Sequence, residues 1–103
     1  MRQITKDAIA AFIKGVPFKR DNTAVRTDHN GVYLALHGNI IAMSSDEFDG
    51  WYISNAGWFT NTTKDRLNGL PGVSIVQKQG VWYLNGTVWD GSWTVLPTHK
   101  VTV

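Results

Sequence analysis

Five two-residue turn signals punctuate this chain: Asn30-Gly31, Gly38-Asn39, Gln79-Gly80, Asn85-Gly86 and Asp90-Gly91. The segments between them are short and alternate apolar with polar residues, and such pairs join antiparallel neighbours because both turn positions tolerate positive φ. Val25 therefore leads through Asp28, His29, Asn30 and Gly31 into Val32, Leu34 and Leu36 as a hairpin. Gly38-Asn39 separates Val32 to His37 from Ile40 to Met43, which extends the hairpin to a three-stranded meander. Ser44 to Gly50 reads as a polar, acidic connection and Trp51 to Ser54 as a short fourth strand. A second set follows at Val73 to Lys78, Val81 to Leu84, Thr87 to Trp89 and Ser92 to Leu96. Two of its turn signals are so close that one must be a bulge or a simple β-turn. His99 to Val103 alternates weakly, as an edge strand or a tail.

Helical periodicity interrupts the strands twice. Residues 5 to 14 carry an apolar stripe of Ile9, Phe12, Ile13 and Val16, with Thr5 as the expected cap, Asp7 in the first turn and Lys14 in the last. Gly15 and Pro17 stop the helix, and Lys19 to Asn22 reads as an exposed loop leaving it. The second helix lies in the stretch Gly57 to Leu70. Thr62 is the expected N-cap with Asp65 as its capping-box acid, Thr63 to Asn68 the helical turns, and Gly69 the stop. So short a helix must be held by its neighbours, Trp58 and Phe59 among them. The expected fold class is α+β: one domain over residues 1 to 103, with a twisted antiparallel sheet open to rolling towards a barrel, an N-terminal helix on one face and a short second helix inserted between two sets of strands.

The chain has no cysteine, so packing and hydrogen bonds alone must hold it, which suits a reducing cytosol. No apolar run approaches membrane-spanning length, and the expectation is a soluble, unexported protein with no membrane partner. The net charge of +2 hides an uneven distribution. Residues 1 to 26 hold six Lys/Arg against two acids, whereas residues 27 to 63 hold four acids and no Lys/Arg. Such asymmetry either steers an anionic partner to one face or is merely a solvated surface.

Catalytic chemistry has little to stand on. His29, His37 and His99 lack the spacing of a zinc site, and Asp46, Glu47 and Asp49 lack the alternation of a calcium loop. No Gly-x-Ser-x-Gly elbow surrounds a serine, and Asp28-His29 sits at a solvated hairpin tip. The chain is thus read as non-enzymatic, with no catalytic residue, metal or cofactor. The aromatics are more informative. Phe48, Trp51, Tyr52, Trp58 and Phe59 form one cluster in sequence and Trp82, Tyr83, Trp89 and Trp93 another. Adjacent strand residues point to opposite faces, so one each of Trp82/Tyr83 and Trp51/Tyr52 is core and the other exposed. Core packing, a protein interface and base stacking are the three roles open to the exposed rings. Lys64 near the start of the short helix would strengthen an anion site with Thr62 and Thr63, and Arg66 either joins that site or lies over a tryptophan.

Gly57-Trp58 with Thr60, then Thr62-Thr63-Lys64, Arg66-Leu67-Asn68, Gln77-Lys78, Val81 to Gly86 and Trp89-Asp90-Gly91 resemble a family of small proteins of tailed bacteriophages, as does Leu36 to Asn39 with Ile41-Ala42. The resemblance spans roughly residues 22 to 93. It implies a phage accessory protein in the host bacterial cytoplasm and supplies no catalytic residue. The leading expectation is stoichiometric binding to nucleic acid, or to a host complex that handles nucleic acid, with inhibition of a host defence as one form of it. Trp58, Thr62, Thr63, Lys64, Arg66 and Tyr83 are the expected contact residues. The alternatives are a nucleotide-sequestering or hydrolytic protein using His37 or His29 in an aromatic pocket, and a virion component, which absence from purified particles would exclude.

Overall fold

The computed structural model describes residues 1–45 and 48–97. Helix α1, Gln3–Lys14, is followed by β1 Phe18–Arg20, β2 Thr23–Asp28, β3 Gly31–Leu36, β4 Asn39–Ser45 and β5 Phe48–Ile53. Helix α2, Asn61–Asn68, precedes β6 Ile75–Lys78, β7 Val81–Leu84, β8 Thr87–Val88 and β9 Thr94–Pro97. The first five strands form an antiparallel meander, and β9 returns to pair with β5, giving the order β1-β2-β3-β4-β5-β9. Strands β6-β7-β8 make a separate three-stranded sheet. Helix α2 and this small sheet are therefore one insertion between two neighbouring strands. The fold is α+β, as the alternation of periods predicts, and neither sheet closes into a barrel.

The Asn30-Gly31 signal marks a hairpin, but its two-residue loop is His29-Asn30, because Asp28 pairs with Gly31. Positive φ is not what the glycine supplies: a Cβ on Gly31 would stand 2.2 Å from the Ser44 carbonyl oxygen of β4. The turn is closed by the Asp28 carboxylate, which accepts from the N–H groups of Asn30 at 2.8 Å and Gly31 at 3.1 Å. The next loop, His37-Gly38, does use the left-handed region at both positions, with φ of 51° and 80°. Lys19 and Arg20 belong to strand β1 rather than to a loop; Asp21, with φ of 52°, and Asn22 make the turn into β2. Asp90-Gly91 is a simple turn, since the chain leaves it for the other sheet. The expectations for Asp46, Glu47 and residues 98–103 lie outside the described residues.

Helix α1 covers one face of the large sheet. Its buried side is Thr5, Ala8, Ile9, Ala11 and Phe12, with Ile13 and Val16 exposed, so the stripe is rotated towards small residues that admit close packing. Phe12 meets Trp51 with ring centroids 5.4 Å apart. Thr5 is not a cap. The helix starts earlier, with Arg2 at the N-cap position, and Thr5 is fully buried. Asp7 lies beyond the first turn, where it pairs with Arg20 at 2.7 Å. Gly15 ends α1 in the left-handed conformation, as its place predicts. Gly69 does not end α2 that way. Its φ is −72°, and its smallness serves packing, because a Cβ there would stand 2.7 Å from Ile9 Cγ1 and 2.8 Å from Thr5 Cγ2.

Candidate functional site

Trp58 is carried to the surface by a loop that the rest of the fold holds rigidly. Buried Ser54 donates to the Gly91 carbonyl at 2.9 Å and accepts from Ala56 N–H at 3.0 Å. Buried Asn55 donates its own N–H to the same carbonyl at 3.0 Å and accepts from Gly57 N–H through Oδ1 at 2.8 Å. The chain then turns through two left-handed residues, Ala56 and Gly57, and presents the Trp58 ring with 56% of its surface exposed.

Thr60 is the N-cap of α2: its hydroxyl accepts from Thr63 N–H at 3.1 Å and lies 2.9 Å from the Thr63 hydroxyl. The helix begins two residues before the expected Thr63, and the acid three residues after Thr62 has a different task. Asp65 accepts from the Thr5 hydroxyl and from Arg66 Nη1. The sequence signal for Thr60 is weak, since Thr63 at its N3 position is not the acid of a capping box.

Between this helix start and the β3-β4 turn lies a cleft of about 380 Å³, lined by Leu36, His37, Ile41, Trp58, Thr60, Thr62 and Thr63. The buried side chains of Leu36 and Ile41 give it apolar surface, Trp58 and His37 contribute rings, and Thr60 and Thr62 contribute hydroxyls, with fully buried Thr63 behind them bonded to Thr60. Three of the six residues expected from sequence, Trp58, Thr62 and Thr63, thus line one cavity. His37 and Thr60 join them.

The other three stand elsewhere. Lys64 places Nζ 5.6 Å from the centroid of the Trp82 ring and donates to Gln77 Oε1 at 2.6 Å. Trp82 is buried, meets Phe59 edge-on at 5.1 Å and Trp89 at 6.2 Å, and so anchors the small sheet to α2. Tyr83, its neighbour in β7, is half-buried on the opposite face, as strand alternation requires.

Arg66 lies over no tryptophan. It is 1% exposed and donates from Nε to Thr23 Oγ1 at 2.9 Å, from Nη1 to Thr5 Oγ1 at 2.7 Å and to Asp65 Oδ2 at 3.0 Å, and from Nη2 to Asn22 Oδ1 at 3.4 Å. Burial pulls its pKa below the ordinary value and the Asp65 charge pushes it back up, while the guanidinium stays protonated. Its fork joins both helices to β2 and so fixes the frame in which the cleft opens.

Among the described residues no group of three or more His, Cys, Asp or Glu side chains is placed to hold a metal ion. No helix among them is long and apolar enough to cross a membrane. Residues 1–98 match the family model described as Kyanoviridae Gp96 protein. No curated protein and no solved structure matches the chain.

Proposed function

This chain belongs to the Kyanoviridae Gp96 family of bacteriophage proteins, and from that premise we propose that it is an accessory protein acting by stoichiometric, non-enzymatic binding in the host cytoplasm. Its ligand is nucleic acid, alone or within the host machinery that handles it, so that inhibition of a host defence complex is one outcome of binding. The observation that supports this reading is the exposed Trp58 ring on a cleft with apolar surface and a rim of hydroxyls and imidazole. A nucleobase has that chemistry in reverse: a flat apolar face and a polar edge.

Trp58 stacks the base, Thr60 and Thr62 meet its edge, and Lys64 adds positive charge two residues further along α2. Thr63 and Arg66, both buried, hold the helix that carries these groups. Tyr83 stands on the small sheet as a second aromatic contact for a longer ligand.

The test is Trp58→Ala against a labelled single-stranded oligonucleotide, read by anisotropy and by tryptophan quenching. Loss of one stacking platform weakens binding by about 1–3 kcal/mol and removes part of the quenching. Unchanged affinity would remove the cleft from the interface. A cleft of about 380 Å³ has room for a whole small molecule, so competition by free mononucleotide as strong as by oligonucleotide would make the protein a nucleotide trap.

A further inference from the structure

The large sheet has a second face, opposite α1, whose strand residues do not line the cleft. Strand pairing sets them in a row. Arg26 lies opposite Tyr33, Tyr33 opposite Met43, Met43 opposite Tyr52, and Tyr52 opposite Val95. Directly paired residues project to the same side, so five strands contribute one side chain each to a band about 19 Å across, at about 4.8 Å per strand. Trp93 extends the band, its ring 5.3 Å from that of Tyr52. The band is open: Val95 is 52% and Trp93 40% exposed, Arg26 is exposed, and Tyr33, Met43 and Tyr52 are half-buried.

Beside Arg26 the same face carries a second row, with Lys19 opposite Ala24 and Ala24 opposite Ala35. The two alanines leave a trough of about 340 Å³ lined also by Lys19, Arg26, Asp21 and His37. Neither Lys19 nor Arg26 makes an ion pair or a hydrogen bond to a side chain among the described residues. Asp28, the acid nearest along β2, is already committed to the Asn30 and Gly31 N–H groups and to the Tyr33 hydroxyl at 3.2 Å. The trough therefore presents two cations that no side chain pairs among the described residues, with Asp21 at its rim and the Asp28 carboxylate, held within its own turn, two residues along β2 from Arg26; the band leads from them to a cluster of rings.

We propose that this open face is a track for single-stranded nucleic acid, with phosphates held by Lys19 and Arg26 and bases stacked on Tyr52 and Trp93. The inference rests on the ligand class proposed above and gives it a second surface. An antiparallel sheet with a helix behind and aromatic rings in front is a geometry that stacks two or three bases. A duplex keeps its base faces covered and offers the rings nothing. His37 lines both the trough and the Trp58 cleft, so a strand leaving the trough passes the cleft mouth.

Anisotropy with labelled oligo-dT, oligo-U and a blunt duplex, titrated with salt, tests the track in the full chain. Lys19→Ala with Arg26→Ala should weaken binding to both single strands at least tenfold. It should also flatten the plot of log affinity against log salt by about 1.4, at about 0.7 for each phosphate left without its cation. Trp93→Ala should weaken binding about fivefold or more with no change in that slope. These side chains are exposed, and the melting temperature should not move. If the wild-type protein binds and Trp58→Ala abolishes binding while the three substitutions on the sheet leave affinity and slope intact, the track is wrong and the cleft stands. If the wild-type protein binds neither single strand at low salt, both fall together. A sedimentation shift to dimer that Trp93→Ala abolishes, without oligonucleotide binding, would assign the face to a second copy and overturn the track.

Discussion

Arg66 Nη1 donates to the Thr5 hydroxyl at 2.7 Å across 61 positions of sequence, and this bond fastens α2 to the first turn of α1. The same guanidinium reaches Thr23 of β2. One side chain thus ties together both helices and the large sheet. Removing one partner from a buried charged network costs about 3–5 kcal/mol, because the groups left behind have lost their hydrogen bonds. Arg66→Ala should therefore cost about 3 kcal/mol or more in urea unfolding, and Arg66→Lys should rescue only part of it, since an ammonium cannot reproduce the fork.

Lys64 is the contrast. Its cation lies over the Trp82 ring, 5.6 Å from the centroid, and the residue is only half-buried. Lys64→Ala should cost no more than about 1 kcal/mol in stability, and its larger effect should appear in ligand binding. Equal destabilisation by Lys64→Ala and Arg66→Ala would contradict the division between contact and frame.

Thr5 and Thr23 supply two of the four acceptors of Arg66, beside Asp65 and Asn22, so their hydroxyls should matter more than their methyl groups. Thr23→Val keeps the shape and leaves Arg66 Nε with no partner, at a cost of about 1–3 kcal/mol. A double-mutant cycle between Thr23 and Arg66 should show coupling, which independent sites would lack.

The burial of Arg66 was not legible in the chain. A charged residue beside Asp65 in a polar helix reads as surface, and its partners lie 43 and 61 positions away. One local signal pointed towards it. Thr5 sits four residues before Ile9 on the apolar side of α1, and a hydroxyl on such a side requires a partner. The meander was legible because turn chemistry is local: Asn30-Gly31 and Gly38-Asn39 each mark their hairpin to within one residue. The caps were harder, because Thr60, Thr62 and Thr63 all suit an N-cap, and it is Thr60 whose hydroxyl accepts from the Thr63 N–H. Of the residues that line the cleft, Trp58 and Thr62 came from local pattern and His37 from the alternative reading of an aromatic pocket, whereas their meeting in one cleft needed the approach of β3-β4 to α2.

Gly69→Ala sets helix propensity against packing. Alanine would favour a helical backbone by about 1 kcal/mol, and φ at Gly69 permits it. The added methyl would run into Ile9 and into Thr5, whose hydroxyl is held by Arg66 and Asp65. The net result should be a loss of about 1–2 kcal/mol from overpacking, seen as a lower melting temperature.

Asp28 makes the β2-β3 tip sensitive to acid. Its pKa lies below the ordinary 3.8, chiefly through the Asn30 N–H bond, against a smaller opposing effect of desolvation. A carboxyl depressed in the folded state contributes stability that is complete above its unfolded pKa and is lost as pH falls through the folded value. Amide exchange at Asn30 and Gly31, corrected for intrinsic rates, should therefore lose protection below about pH 3.8, and Asp28→Asn should remove that pH dependence.

A salt titration of wild-type binding to labelled single-stranded DNA, duplex DNA and RNA, followed by anisotropy and tryptophan fluorescence together, tests whether this protein binds nucleic acid. The expected result is preference for single strands over duplex, affinity that falls steeply with salt, and quenching that tracks occupancy, as phosphates meet cations and bases cover indole rings. Absence of binding to every nucleic acid at low salt would contradict it and turn attention to a host protein captured from infected cells.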